Sequence, residues 1–278
     1  MEKINLKQKI DFILRDKYGL ALRQGLEQEN LLIGRNKQEK KLMADIKRLK
    51  AGEPLDYIIG WTPFLNCKID LSQEPLIPRP ETEYWTEQAI INIRQSLIVN
   101  NKKISILDIF SGSGCVGIAI LKNIPGVQVD FAEIDPKLIK QIKINLKLNK
   151  ISLKRYKVIQ SDIFQKVKGK LARPNPLISG EGGYDFILAN PPYVPGGKIN
   201  RDVIKYEPKR ALFGGKDGLD IIRKLLKQAP KHLNTGGQLW IEFSSEQKMA
   251  IEKLIKQNNM KGEFYKDQYD RWRWVVTG

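Results

Sequence analysis

Asn190-Pro191-Pro192-Tyr193 follows directly on the apolar run Tyr184-Asp185-Phe186-Ile187-Leu188-Ala189, so a strand delivers an amide, two prolines and an aromatic ring to its C-terminal end. Proline has no N–H and a fixed φ, and the residue before it is driven toward extended geometry. Such a turn offers mainly acceptors. The Asn190 side-chain oxygen and the Pro191 carbonyl can point at one NH2 group while Tyr193 stacks on its plane. By itself the tetrapeptide is also compatible with an ordinary proline-rich turn. The chemistry it would serve is the handling of a planar amino or amide group.

Three further strand ends accompany it. Ile104-Ser105-Ile106-Leu107-Asp108-Ile109 reads as a buried strand running into Phe110-Ser111-Gly112-Ser113-Gly114-Cys115-Val116-Gly117 and then an apolar helix. Glycines there let backbone approach a ligand, and a helix start presents free N–H groups. A second strand, Val127 to Ala132, ends in Glu133-Ile134-Asp135-Pro136, placing an acid about 20 residues past the glycines, where a ribose diol is commonly held. A third, Tyr156 to Gln160, ends in Ser161-Asp162-Ile163-Phe164. In an open α/β sheet, ligands bind outside the carboxyl ends of the strands, so the four clusters converge on one crevice.

That order of a glycine loop, an acid for a ribose, an Asp for an adenine amino group and a target-binding turn resembles the class I S-adenosylmethionine-dependent methyltransferases. The resemblance implies an α/β fold, a Rossmann-like sheet with helices on both faces. No phosphate-binding glycine-lysine-serine loop is present, which argues against a nucleoside triphosphate.

With 278 residues and 41% hydrophobic content the chain can bury a full α/β core and a small second unit. Cys67 and Cys115 lie far apart, and no secretory or membrane-spanning segment is visible, so a reducing, cytoplasmic setting is expected. His232 is the only histidine; with two cysteines it cannot assemble a zinc site, and it is expected on the surface near a helix end. The net charge of +17 would suggest nucleic acid, but it is spread along the chain, much of it as lysine on helix faces where solvation explains it.

Residues 4–50 are lysine-rich with apolar positions at helical spacing, including Ile10, Ile13 and Leu14, then Leu42, Ile46 and Leu49, and predict two or three short helices. Gly52-Glu53-Pro54 breaks the pattern. The expected division is a helical substrate-recognition domain over 1–55, a hairpin or linker over 56–78 and a methyltransferase domain over 79–278. Pro80 with Glu81 and Glu83 suits a helix start. Residues 169–183, rich in Gly and Pro, are expected to form an exposed excursion before the fourth strand.

Gly52-Glu53-Pro54, Gly60, Ile77-Pro78-Arg79-Pro80-Glu81-Thr82-Glu83, the Ser-Gly-Ser-Gly loop, Ser161-Asp162-Ile163-Phe164, Asn190-Pro191-Pro192-Tyr193 and Tyr206-Glu207-Pro208 stand in this order. So do Ala211-Leu212, Gly215, Asp217-Gly218-Leu219, Glu242, Gln247 and Asp267 with Arg273. In these the chain resembles the release factor glutamine methyltransferases, the PrmC/HemK family, over nearly everything after residue 52. The resemblance implies a cofactor site of Phe110, Ser111, Gly112, Ser113, Gly114, Glu133, Asp162, Ile163 and Asn190, with Asn190, Pro191, Pro192 and Tyr193 acting on the acceptor. It implies S-adenosylmethionine as cofactor, no metal, and as acceptor the glutamine of a Gly-Gly-Gln loop in a peptide chain release factor. That loop would be clasped by the N-terminal helices and residues 194–206. The chain departs from the family in three places: Phe110 stands where a small residue is usual, Glu133 where an Asp is usual, and the N-terminal segment is short. Glu133 keeps a diol acceptor; Phe110 either crowds the cofactor or packs behind the loop. Two other readings stand beside this one. Methylation of an adenine amino group in RNA or DNA is favoured by Asn190 to Tyr193 and the basic charge and opposed by the Pro80 to Glu83 segment. A nucleic-acid-binding protein on a degenerate methyltransferase fold is opposed by the intact Asp162 and Asn190 to Tyr193.

Overall fold

A computed structural model describes residues 4–19, 37–100, 103–167, 183–197 and 201–278. The chain divides into two compact units, Met1–Thr62 and Pro63–Gly278.

In the first unit, α1 (Leu6–Phe12) starts on a capping box, Asn5 with Gln8, and continues as one π-helical turn over Ile13–Lys17. α2 (Lys37–Lys50) and α3 (Leu55–Ile59) complete it. Ile13, Leu14, Leu42, Ile46, Leu49 and Ile58 form its apolar core, the same helical-period positions that the pattern singles out. Residues 20–36 of the expected helical segment, 169–182 of the expected excursion and 198–200 of the expected clasping loop lie outside the described residues.

β1 (Trp61–Phe64) and β2 (Cys67–Asp70) form a two-stranded hairpin whose turn residues Leu65 and Asn66 both take positive φ, 42° and 65°. In the second unit, α4 (Pro80–Asn100) begins at Pro80 with two glutamates in its first turn, where the missing N–H costs nothing and acids suit the dipole. The remaining strands are β3 (Ser105–Ile109), β4 (Gln128–Glu133), β5 (Tyr156–Gln160), β6 (Tyr184–Ala189), β7 (Leu233–Glu242), β8 (Gly262–Lys266) and β9 (Trp272–Thr277). They build one seven-stranded sheet in the order β5-β4-β3-β6-β7-β9-β8. β3 to β7 are parallel, while β9 runs antiparallel to both β7 and β8.

The helices α5 (Cys115–Asn123), α6 (Pro136–Leu148), α7 (Arg201–Tyr206), α8 (Lys209–Leu212), α9 (Asp220–Gln228) and α10 (Lys248–Gln257) follow in chain order among the strands. Every residue of β3 and β6 is buried, as a parallel strand covered on both faces requires, whereas the edge strand β8 is mostly exposed. On one face Leu107, Ile109, Ile187, Ala189, Leu239 and Ile241 pack with Ile222 and Leu225 of α9 and Ile251 and Ile255 of α10. The intervening positions, Asp108 among them, face the layer that includes α5. This is the α/β sandwich expected from the strand ends, and its switch point lies between β3 and β6.

His232 corrects an expectation. It is half-buried, its ring stacked at 4.2 Å on Phe164, and burial pulls its pKa down, because the turn before β7 folds it inward.

Candidate functional site

The carboxyl ends of β3, β4 and β6 open into a cleft of about 870 Å³, its mouth included, roofed by Leu76 to Arg79 and Thr82 on one side and Pro208, Arg210 and Ala211 on another. Phe110, Ser111, Gly112, Ser113, Glu133, Asn190 and Pro192 line it, so seven of the residues singled out from the sequence share one cleft. Gly114, Pro191 and Tyr193 adjoin these lining residues along the chain. Asp162 is exposed and Ile163 buried in the turn after β5, outside the cleft lining.

The glycine loop is built from backbone. Ser111 N–H donates to Ala132 O at 3.3 Å, the Ser111 hydroxyl donates to Asp108 O at 2.7 Å, and Gly114 N–H closes a tight turn onto Ser111 O at 2.6 Å. Gly114 takes φ 79° at the start of α5, leaving the helix without a side-chain cap. Phe110 sits at φ 61°, a left-handed conformation that glycine adopts freely and an aromatic residue holds only under local constraint. Phe110 lines the cleft and also packs against the sheet core. Ile163 takes φ 49°, rarer still for a β-branched side chain.

Glu133 ties this loop to the next strand end. One carboxylate oxygen accepts from Gly112 N–H at 2.9 Å; the other accepts from Ile134 N–H at 2.8 Å and Asp135 N–H at 3.0 Å. Burial pushes its pKa up, opposed by those three donors. A carboxylate has about four acceptor positions, so one remains for a hydroxyl in the cleft.

Asp108 went unread in the sequence, although an acid inside an apolar strand is a signal. Its Oδ2 accepts from Gly117 N–H at 2.9 Å, and burial pushes its pKa up to about 7. Gly117 has no room for a side chain: a Cβ would lie 2.4 Å from the Phe131 ring. Burial also pushes the Cys67 thiol up to about 11 and the Cys115 thiol up to about 12, so neither offers a thiolate at neutral pH.

The Asn190 side is built from side chains far apart in sequence. The Asn190 amide NH2 donates to Thr82 Oγ1 at 3.2 Å. Thr82 Oγ1 donates to Glu242 Oε2 at 2.7 Å, Trp85 Nε1–H donates to the same oxygen at 2.5 Å, and the Tyr193 hydroxyl donates to Glu242 Oε1 at 3.0 Å. Burial pushes Glu242 up, countered by these donors and by Arg273. Burial and the Glu242 charge push the Tyr193 phenol up as well. Tyr193, expected to stack on a substrate amide, therefore has its polar tip engaged inside the protein, and Gln247 Nε2–H holds its carbonyl at 2.9 Å. Arg79 pairs with Glu207 at 2.6 Å, which joins the Pro78 to Glu83 segment to Tyr206-Glu207-Pro208. Arg273 pairs with Asp267 at 2.9 Å. Glu242 lies at the end of the apolar run Leu239-Trp240-Ile241, a signal of the same kind as Asp108.

The strand order and the strand-end cleft define a methyltransferase of the class I fold. Residues 93–211 match the methyltransferase small domain family, and the fold is shared with the human methyltransferase 10 domain containing protein, 17% identical with a TM-score of 0.53 over 77% of this chain and 88% of that one. A release factor glutamine methyltransferase of Thermodesulfovibrio yellowstonii is 38% identical over 75% of this chain and 69% of its own length. One from Borreliella burgdorferi is 34% identical over 87% of this chain and 77% of its own. The chain belongs to the release factor glutamine methyltransferase family. Among the described residues no group of three or more His, Cys, Asp or Glu could hold a metal ion, and no helix is long and apolar enough to cross a membrane.

Proposed function

We propose that the protein transfers a methyl group from S-adenosylmethionine to the side-chain amide nitrogen (N5) of the glutamine in the Gly-Gly-Gln motif of peptide chain release factors. Kinship with enzymes named for that reaction supports the reading. The observation that carries it is Asn190, which lines the cleft with its NH2 engaged by Thr82 and its Oδ1 without a partner among the described residues.

The residues of the cleft fit the cofactor. Gly112 leaves its side of the loop open, since a Cβ there would meet only Phe110 O at 3.9 Å, and Glu133 has one acceptor position left for a ribose hydroxyl. Phe110 to Gly114, Glu133, Asn190 and, at the end of β5, Asp162 and Ile163 form the proposed set. When bound, the cofactor supplies an electrophilic methyl group on a positively charged sulfur.

The amide nitrogen of glutamine is a weak nucleophile because its lone pair is delocalised into the carbonyl. Asn190 Oδ1 and the Pro191 carbonyl would accept its two N–H hydrogens, orienting the amide and favouring a pyramidal nitrogen as the bond to carbon forms; the methyl–sulfur bond would break to leave a neutral thioether, and one N–H proton would leave the nitrogen along one of these hydrogen bonds to solvent. Holding the nitrogen in line at near-attack distance supplies much of the remaining barrier reduction. Tyr193, anchored through Glu242, and Pro192 keep the turn in that geometry.

Incubation with labelled cofactor, release factor and bulk RNA tests the proposal. Mass spectrometry should place the methyl group on the Gly-Gly-Gln glutamine, and replacing that glutamine should eliminate labelling while ribonuclease leaves it unchanged. A methyl group on adenine, with the glutamine unmodified, would transfer the assignment to the nucleic-acid amino-methyltransferases.

A further inference from the structure

The acceptor role of Asn190 requires that its amide not rotate by half a turn, since a flip would present an NH2 group to the NH2 of the substrate. Planar amides have nearly equal steric demand in both orientations, so only the hydrogen bonds behind the residue decide. Those bonds have a fixed polarity. The Trp85 indole can only donate, and it donates to Glu242 Oε2 at 2.5 Å, which makes that oxygen an acceptor. The Thr82 hydroxyl lies 2.7 Å from the same oxygen and directs its hydrogen there. Its lone pair is then what faces Asn190 at 3.2 Å, and only the NH2 edge of Asn190 satisfies it. Thr82 itself is held, 2% exposed, in the first turns of α4, where Thr86 Oγ1 donates to its carbonyl at 2.6 Å.

We propose that Thr82, polarised by Glu242 and Trp85, is the positioning residue that fixes the Asn190 side chain with its oxygen toward the acceptor nitrogen. This deepens the glutamine-methylation reading and rests on it. With the Glu242 carboxylate ionised, the chain of bonds runs from the indole through the carboxylate and the hydroxyl to the amide, and each link permits one direction only. Thr82 does not touch the reacting atoms in this scheme. It acts through Asn190, so its loss should slow the chemical step while leaving cofactor affinity nearly intact.

The test compares wild type, Thr82→Val and Thr82→Ser in single turnover with saturating S-adenosylmethionine and full-length release factor, with S-adenosylhomocysteine affinity measured by calorimetry. Valine keeps the shape and removes the hydroxyl; serine keeps the hydroxyl. Because a misplacement of about 1 Å can cost about 100-fold, Thr82→Val is expected to lower the rate by about 10- to 100-fold, with affinity for S-adenosylhomocysteine changed by less than about threefold. Thr82→Ser should return the rate to within about threefold of wild type. If Thr82→Val does not fold, Thr82→Ala makes the same comparison. A hydroxyl-free variant with the wild-type rate overturns the proposal, as does a loss that serine fails to restore. Absence of glutamine methylation by the wild type overturns the functional reading itself, which keeps the two failures apart.

Discussion

The two walls of the cleft are made in different ways. At the ends of β3 and β4 the wall is main chain: Gly112, Gly114 and Ser111 hydrogen-bond through their peptides, and Glu133 closes the loop by collecting three backbone N–H groups. At the end of β6 the wall is side chain: Asn190 and Tyr193 lean on Thr82, Trp85, Glu242 and Gln247, which lie between 49 and 160 residues from their partners. A main-chain wall suits a ligand that is the same in every turnover. A side-chain wall with enforced hydrogen-bond polarity suits a step that needs an acceptor in one place and no donor beside it. The comparison teaches that damage to the first wall should appear in cofactor binding and stability, and damage to the second in the chemical step.

The strongest break is Asn190→Ala. Removing a preorganised polar group at a reacting centre costs about 100- to 1,000-fold in rate, and single-turnover measurements at saturating cofactor should show a loss of that size, with cofactor affinity falling much less than the rate. An unaffected rate would remove the acceptor mechanism. Next comes Gly117→Ala on the main-chain side, where a Cβ would lie 2.4 Å from the Phe131 ring and 2.9 Å from Asp108 Oδ2. Overpacking of this kind costs about 3 kcal/mol, which for a domain of this size lowers the melting temperature by about 10 °C. Calorimetric melting without that drop would mean the loop and α5 yield more easily than the packing implies.

Glu133→Ala sharpens the contrast with Asn190. Losing a charge-assisted hydrogen bond to a ribose hydroxyl costs about 2 kcal/mol, so cofactor affinity should fall by about 30-fold by calorimetry, while the rate at saturating cofactor falls far less. Unchanged affinity would take Glu133 out of the site. The last contrast is a pH dependence carried by Asp108. Its folded-state pKa, raised to about 7 by burial, lies above the ordinary value of 3.8, so its contribution to stability is full at low pH and is lost as pH rises toward 7. Asp108→Asn has no such titration. The difference in melting temperature between wild type and this variant should therefore shift in favour of the variant between about pH 4 and pH 7; a constant difference would show that Asp108 keeps an ordinary pKa.

Local chemistry in the sequence determined the parts that are contiguous along the chain. Runs of apolar residues specified β3, β4 and β6, glycines at 112 and 114 marked a loop of main-chain contacts, Pro80 set the start of α4, and Asn190 with its prolines specified a turn rich in acceptors. Spacing then placed these ends on one crevice, because parallel strands in an open sheet present their carboxyl ends together. The division of labour behind the crevice was decided by the tertiary structure alone. Glu242 and Thr82 read separately as the end of a strand and the first turns of a helix, and Arg79 and Glu207 as members of two unrelated motifs; only tertiary packing brings each pair within hydrogen-bond distance. Tyr193 carries no mark in the sequence that separates an anchor from a stacking platform, and the difference lies in one bond to a buried carboxylate 49 residues away. Hydrogen-bond polarity is a property of a closed network, and a network closes only when chain segments that are remote in sequence have been buried against one another.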